Sequence, residues 1–588
     1  MDTRRLLLAV VLSLAVLLAW QYFLPRETPP AAPSVAESPA APGVAAKPAG
    51  EVGAGGALTP TAAAEAEVEV EEPAELAEPI AADAERRVVV ESELFRAELT
   101  NRGAQLVSFV LREHTRSDGA PLDLVRQREG APYPFALVGA DLSPLALDGA
   151  LFATDDASEG GVRTVTFRYH GPAGSAEKAF AFRPDGLFDV DVKVDRPRDW
   201  ALWLGPGIRN PTKAELENRF ENRGGVYNLG GSFQRLSAKK AEEPTAVPRA
   251  GLRWAGLEDL YFLTVAIPRA PVRGARFEPF LMVPDGEEGE WRFAPLPPKE
   301  AMSEEQKKLE RDFALVIQPA GSELALTDYW GAKRIHRLAA LPDSLGDTVD
   351  LGWFGFFARF LFDGLEWIYH HVVHNYGWAI VLLTVAINIV LLPLTHKSYT
   401  SMQKMQELNP KIQAIKDRYR GKLKDSQGKP KIEMQRKMNE EVMALYKSEG
   451  VNPAGGCLPM VIQLPVLFAF YRLLGAAVEL RGAPWMLWIH DLSAPDPYYA
   501  LPLIIKATQF LQQRMTPMAG DPMQRRIFQL MPVFMTFLFL GFPSGMVLYW
   551  LTNNVLTIAR QAIYMRYKKR KSEGEIAPAK AKKGRRKS

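Results

Sequence analysis

YGWAIVLLTVAINIVLLPL, running from Tyr376 to Leu394, carries no charged residue. At about 1.5 Å rise per helical residue, such a stretch nearly covers a hydrocarbon core of roughly 30 Å. Four more hydrophobic segments follow it: Leu458 to Ala477, Tyr498 to Leu511, Ile527 to Phe542 and Met546 to Ile563, the middle two being short. A sixth lies at the other end of the chain, where Leu6 to Leu24 runs nineteen residues without charge behind Arg4 and Arg5. It ends in bulky Trp20, Tyr22 and Phe23, not in a small-x-small cleavage site, and so reads as an uncleaved anchor over residues 1–24.

Basic residues near span ends stay cytoplasmic, so the loops set the orientation. The loop His396 to Gly450 carries thirteen Lys and Arg, the loop Gln512 to Arg526 carries Arg514, Arg525 and Arg526, and the tail 567–588 is densely basic. The loops Val478 to Pro497 and Pro543 to Gly545 together carry only Arg481. Six spans therefore place both termini and both basic loops in the cytoplasm. What lies between the first and second spans is then on the opposite side, which in a bacterial cell is the periplasm.

That intervening region divides in three. Residues 25–85 are Ala, Pro and Glu with few large apolar side chains, too little to offset ordering entropy, and read as a flexible tether. Residues 86–345 alternate with period two, most clearly where Phe188, Val190, Val192 and Val194 interleave with Asp189, Asp191, Lys193 and Asp195. Val165, Phe167 and Tyr169 repeat the pattern, which predicts a large antiparallel β-sandwich. Residues 346–375 are crowded with aromatics but interrupted by Arg359, Asp363 and Glu366, as suits an interfacial amphipathic helix. The expected fold class is a multi-domain membrane protein: this sandwich plus an α-helical transmembrane bundle, with a core over 376–566.

Composition excludes several chemistries. Cys457 is the only cysteine among 588 residues, so neither a disulfide framework nor a cysteine zinc site is available. No phosphate-binding loop is present, and the Gly-rich run at Gly53 to Gly56 has no strand before it. His370, His371 and His374 form an H-H-x-x-H run, but a metal needs further ligands, and an aromatic-belt role suits them better. His114, His170 and His336 show no triad spacing. No enzyme activity, cofactor or metal is expected.

Two features point to polypeptide handling. In the loop 397–450, Met402, Met405, Leu408, Ile412 and Ile415 recur at helical spacing, as do Met438, Val442 and Leu445. They predict a cytoplasmic helical hairpin, suited to ribosomes, nascent chains or anionic lipid. Polar residues also sit deep in the apolar segments. Thr384 and Asn388 share a helix face, Gln463 lies between Pro459 and Pro465, and Tyr549, Thr552 and Asn553 share a face of the last segment. They face one another, holding the bundle together, or they face water. Lys506, in the middle of Tyr498 to Leu511, either faces the bundle or snorkels to an interface.

The motifs P-L-T-H-K-S-Y-T-S-M-Q-K-M from Pro393, N-P-A-G-G-C-L-P from Asn452, W-I-H-D-L-S from Trp488, D-P-Y-Y from Asp496 and F-P-S-G-M-V-L-Y from Phe542 resemble the YidC family of insertases. The resemblance runs through the whole chain in order. It implies a periplasmic β-supersandwich and a five-helix core with a hydrophilic groove open to cytoplasm and lipid. It also implies work on nascent membrane proteins with the SecYEG translocon, the SecDF complex and translating ribosomes, and no sequence-specific nucleic acid. Groove positions of the family fall on Thr384, Gln463, Tyr549 and Asn554. The family arginine five residues before the proline of P-L-T is Asn388 here, and Lys506 is the expected substitute for its charge. A solute transporter is the first rival reading, but internal repeats and a midplane ligand constellation are missing. A membrane-anchored carbohydrate domain is the second, and it leaves the basic hairpin and buried polar residues unexplained.

Overall fold

The computed structural model describes residues 79–584 apart from 117–118, 126–131, 196–198, 217–220, 285–290, 342–344, 424–430, 452–457, 516–529 and 531–532. The expected anchor, most of the expected tether, Cys457 and part of the fourth expected core span lie outside those residues.

Between Arg87 and Ala332 the chain forms three sheets with antiparallel pairing throughout. Four strands follow in sequence order: β1 (Arg87–Glu91), β2 (Phe95–Thr100), β3 (Gln105–Thr115) and β4 (Pro121–Asp123). The second sheet has the order β13 (Thr245–Pro248), β16 (Val272–Pro284), β18 (Glu310–Pro319), β10 (Trp200–Pro206) and β5 (Ala136–Gly139), with β17 (Trp291–Pro295) paired to β16. The largest runs β12 (Ser232–Ser237), β11 (Gly224–Leu229), β14 (Leu252–Glu258), β15 (Phe262–Pro268), β19 (Glu323–Ala332), β9 (Leu187–Val194), β8 (Gly174–Phe182), β7 (Val162–Gly171) and β6 (Ala153–Glu159).

Alternation builds these strands. In β9, Phe188, Val190, Val192 and Val194 are buried, while Asp189 on the other face accepts from Thr327 Oγ1 of β19 at 2.6 Å. The inward residues meet as an aromatic core, with Phe95 stacked on Phe109 at 4.7 Å and Phe182 on Phe188 at 5.2 Å between ring centroids. One inward position of β8 breaks the apolar rule. Lys178 is fully buried, and its Nζ donates to the carbonyls of Phe135 (2.6 Å) and Ala104 (3.2 Å) and to that of Gly103. All three acceptors have left-handed backbone, at φ 70°, 49° and 66°, which turns these carbonyls toward the ammonium. Burial pushes the ammonium down to about 7, against the pull of Asp148.

After the last strand the chain is helical: α1 (Ile335–Ala340), α2 (Gly355–His371), α3 (Tyr376–Val390), α4 (Leu392–Glu407), α5 (Asn409–Arg420), α6 (Ile432–Ser448), α7 (Leu458–Ala476), α8 (Ala500–Met515) and α9 (Ser544–Gly584). Residues 533–539 are also helical. Among the described residues no single helix is long and apolar enough to cross a membrane. The bent pair α3 and α4 passes that test together, with a 63° bend between them. The stretch Tyr376 to Leu394 is thus not one straight rod: Pro393 lacks an N–H to continue the ladder and the chain re-starts as α4. The last helix also exceeds its expected end at Ile563, continuing to Gly584.

Helix α2 splits its residues cleanly. Ala358, Leu361, Phe362, Leu365 and Ile368 are buried, whereas Phe356, Phe360 and Trp367, with Trp353 just before the helix, are exposed at 58–81 %. Helices α5 and α6 pack antiparallel, with Lys411 paired to Glu449 at 2.6 Å and Arg418 to Glu441. Leu408, Ile412 and Val451, with Val442 and Leu445 against them, form a small core of their own. Helix α8 packs along α9, α9 along α3, and α2 against α3 and α7.

The sheets and helices are tied at α7. Ala476 and Val478 join the sandwich core cluster. Arg472 pairs with Asp350 at 3.1 Å, Asp350 lies 3.9 Å from Arg235, and Arg235 pairs with the fully buried Glu258, which also holds Lys333. Arg481, the one basic residue of the two outer loops, has its side chain largely buried. It donates to Thr115 O at 2.7 Å, pairs with Glu215 at 3.4 Å and sits over the Tyr261 and Phe262 rings.

Candidate functional site

A polar seam runs between α3–α4 and α9. It starts with Thr384, which is fully buried and returns its hydroxyl to Ile380 O at 2.6 Å. One turn on, Asn388 Nδ2 donates to Thr384 O at 2.9 Å and across the interface to Asn553 Oδ1 at 3.1 Å. Seven residues further along each helix, Arg560 Nη1 donates to Thr395 Oγ1 at 2.8 Å. Both cross-helix pairs are separated by 165 residues, so α3–α4 and α9 run parallel and in register here. The seam then passes into rings, with Tyr564 at 5.7 Å from His396 and 5.1 Å from Tyr399.

A second polar pair joins α7 to α9. Gln463 Nε2 donates to the Tyr549 hydroxyl at 2.8 Å, and the Tyr549 ring stacks on Phe470 at 4.4 Å. Tyr549 and Thr384 are both buried, so these groups are held by partners and not by exposure. Satisfaction is incomplete: Asn554 is buried, and its Nδ2 meets no acceptor among the described residues. An amide left dry and unpaired is costly, on the order of 1–3 kcal/mol, and such a group marks a place where water or a ligand completes the pairing.

Thr384, Asn388, Gln463, Tyr549 and Asn553 are thus brought into two linked pairs and a buried hydroxyl, with Asn554 beside them on α9. Lys506 is not. It is exposed on α8 together with Leu503, Ile504 and Phe510, while Ile505 carries the buried face of that turn. The outward rotation of the helix at this residue removes it from the seam. The cation that does face the seam, Arg560, lies inside the hydrophobic segment Met546 to Ile563, where the sequence reading singled out Tyr549, Thr552 and Asn553 but not this residue. Its spacing of seven from Asn553 was the available signal, since that interval returns to one helix face. The histidine run on α2 has aromatic neighbours: His371 stacks on Trp367 at 5.2 Å, and Tyr369 lies between His370 and His374 at 5.1 and 5.9 Å. Among the described residues no three His, Cys, Asp or Glu side chains cluster as metal ligands.

Chemically, the seam offers amide and hydroxyl donors and acceptors in an apolar surround, with one cation at its end. That arrangement can donate and accept hydrogen bonds along its length.

Comparison with known proteins accounts for nearly the whole chain. Residues 87–363 match the YidC periplasmic domain family, and residues 367–572 match the 60Kd inner membrane protein family. The membrane protein insertase YidC of Syntrophus aciditrophicus (strain SB) is 34% identical over 95% of this chain and 98% of its own length. That of Syntrophobacter fumaroxidans (strain DSM 10017 / MPOB) is 36% identical over 80% of this chain and 85% of its own. Among solved structures, an active YidC insertase with its first transmembrane domain resolved covers 82% of this chain and 93% of its own at 18% identity, with a TM-score of 0.31. The kinship rests on sequence, and by that measure the chain belongs to the YidC family of membrane protein insertases.

Proposed function

We propose that this protein lowers the barrier for transmembrane segments entering the inner membrane, alone or with SecYEG and SecDF, through a hydrophilic groove open to cytoplasm and lipid. The polar seam carries this reading: Gln463 with Tyr549, Asn388 with Asn553 and Arg560 with Thr395 place hydrogen-bonding groups along helices whose other faces are apolar. Each unpaired polar group taken into hydrocarbon costs several kcal/mol. Groove groups that bond to a passing tail, or hold water beside it, shorten the dry path. Burial of the substrate's own apolar segment, at about 25 cal/mol per Å², then drives release into lipid.

In this reading the chain has six spans with both termini cytoplasmic. The sandwich is periplasmic, and the exposed aromatic face of α2 lies in the outer interface. The α5–α6 hairpin and the basic tail receive ribosomes, targeting factors or anionic lipid, and nascent membrane proteins are the substrates.

The test is aqueous access. With Cys457 replaced by Ser, single cysteines at Thr384 and Asn388 are expected to react with a membrane-impermeant maleimide from the cytoplasmic face and to crosslink to a stalled nascent chain. Cysteines that stay unreactive at both positions, while one placed at Lys397 reacts, would overturn the groove.

A further inference from the structure

Glu479 stands where several elements meet. It follows the end of α7, and its carboxyl lies at the start of α1, where it accepts from the Ile335 N–H and from its own. Its Oε2 is nonetheless buried without a hydrogen-bond partner among the described residues. A second carboxylate, Glu366 of α2, stands beside it.

The other charged and titratable groups come from each neighbouring element. Arg334, just before α1, donates to Glu113, and His336 of α1 lies 3.1 Å from Glu366 and 3.6 Å from Asp363. Tyr376 of α3 is within electrostatic reach of both carboxylates and stacks on Tyr369 at 4.0 Å. Tyr329 of β19 turns its hydroxyl to Ala332 O at 2.6 Å. Arg481, two residues on, is held by Glu215 and Thr115 O. None of them donates to Oε2.

An ionised carboxylate only accepts, so an oxygen that is dry and without a donor strands negative charge away from water. A proton on the carboxyl removes that charge and its repulsion from Glu366. Burial pushes the Glu479 carboxyl up to about 7, from an ordinary 4.5; Glu366 adds to the rise, while the two N–H groups and Arg334 oppose it.

We infer that Glu479 is a proton-operated latch: protonated, it lets α1, α2 and the loop after α7 pack together, and ionised beside Glu366 it loosens them. With the sandwich in the periplasm, as proposed above, the proton comes from that side, and the sidedness of the latch rests on that reading. The folded value is raised, so the packing is firmest below pH 4.5 and weakens as pH rises toward 7. That window lies above the one in which Glu215 is protonated.

The test is amide hydrogen exchange on the full chain in nanodiscs, corrected for the intrinsic rate. Protection of residues 335–340 and 478–482 should fall about tenfold between roughly pH 5 and pH 8, while protection of β9 stays level. Glu479→Gln should keep the acid-side protection throughout, and Glu366→Gln, which removes the like charge, should make the fall smaller. Wild-type protection that stays level overturns the inference. A fall that persists in Glu479→Gln also overturns it, because another group would then be titrating. So does a fall that β9 shares, which would be global unfolding. Should protease added to intact spheroplasts leave the sandwich uncut, the periplasmic placement fails, while the latch read in nanodiscs stands.

Discussion

The sandwich and the helical half both bury polar groups, but they do so under opposite rules. In the sandwich the buried groups are largely charges, and the clusters around Arg209 and Glu258 are matched, whereas Asp328 Oδ2 has no hydrogen-bond partner among the described residues. Arg209 holds Asp259 and Glu215, while Asp259 also accepts from the backbone of Tyr261 and Phe262 at 2.8 and 2.7 Å; Lys333 and Arg235 share Glu258. In the helical half the buried groups are mostly neutral amides and hydroxyls, some bonded across helices, as Asn388 is to Asn553, and some without a partner among the described residues, as with Asn554 Nδ2, Gln509 Oε1 and Tyr399 Oη. A closed network fixes one structure, because breaking it strands a charge away from water. An open set of weak partners leaves room for something else to bond. Under the proposed function, the difference separates a scaffold from a surface that takes a substrate.

The largest effect tests the scaffold. Arg209→Met strands Asp259 and Glu215 in the sandwich and should cost about 3–5 kcal/mol, read as a lowered denaturation midpoint of the purified protein in detergent. A loss below about 1 kcal/mol would place that network in the same loose class as the seam.

A second measure is acid. Glu215 would be raised by burial, but Arg209, the Thr212 N–H and Arg481 outweigh that and bring it down to about 2, from an ordinary 4.5. Because the folded value is depressed, the stabilisation is complete above pH 4.5 and is lost as pH falls toward 2. Contact between the α7 end and the sandwich, followed by protection of the Arg481 region from protease, should weaken over that window. Glu215→Gln should flatten the acid limb. An unchanged limb would mean that the junction does not depend on the Arg481 pair.

The smallest effect is expected in the seam. In a dry core, removing the Tyr549 hydroxyl would leave Gln463 unpaired at about 1–3 kcal/mol. If water replaces the partner, Tyr549→Phe should cost well under about 1 kcal/mol in the same denaturation measurement while slowing substrate insertion several-fold. A full core-sized loss with normal insertion would make Gln463 and Tyr549 a structural pair and erase the contrast.

Much of the architecture was legible because burial leaves a local period. The alternation at Phe188 to Val194 became β9, whereas the buried Lys178, at an inward position of β8 between Ala176 and Phe180, was not singled out. The interval of four from Thr384 to Asn388 put both on one helix face, as observed. Which neighbour a face meets was not legible. A helix turns about 100° per residue, so whether Lys506 or Arg560 looks into the bundle depends on how α8 and α9 are rotated against their neighbours, which no single segment records. The same holds for Arg481: only the approach of Glu215 and the rings of Tyr261 and Phe262 makes it a tie between helices and sandwich.

By itself, the order of residues determined the periods: where strands alternate, where apolar helices lie, and which polar groups share a face, since each follows from local geometry and the exclusion of apolar surface from water. The tertiary structure alone decided the partners, pairing Asn388 with Asn553 and Arg560 with Thr395 across 165 residues and turning Lys506 outward. Partner choice is a property of how finished helices pack, because hydrogen bonds reach only about 3 Å and are set by the last few degrees of rotation.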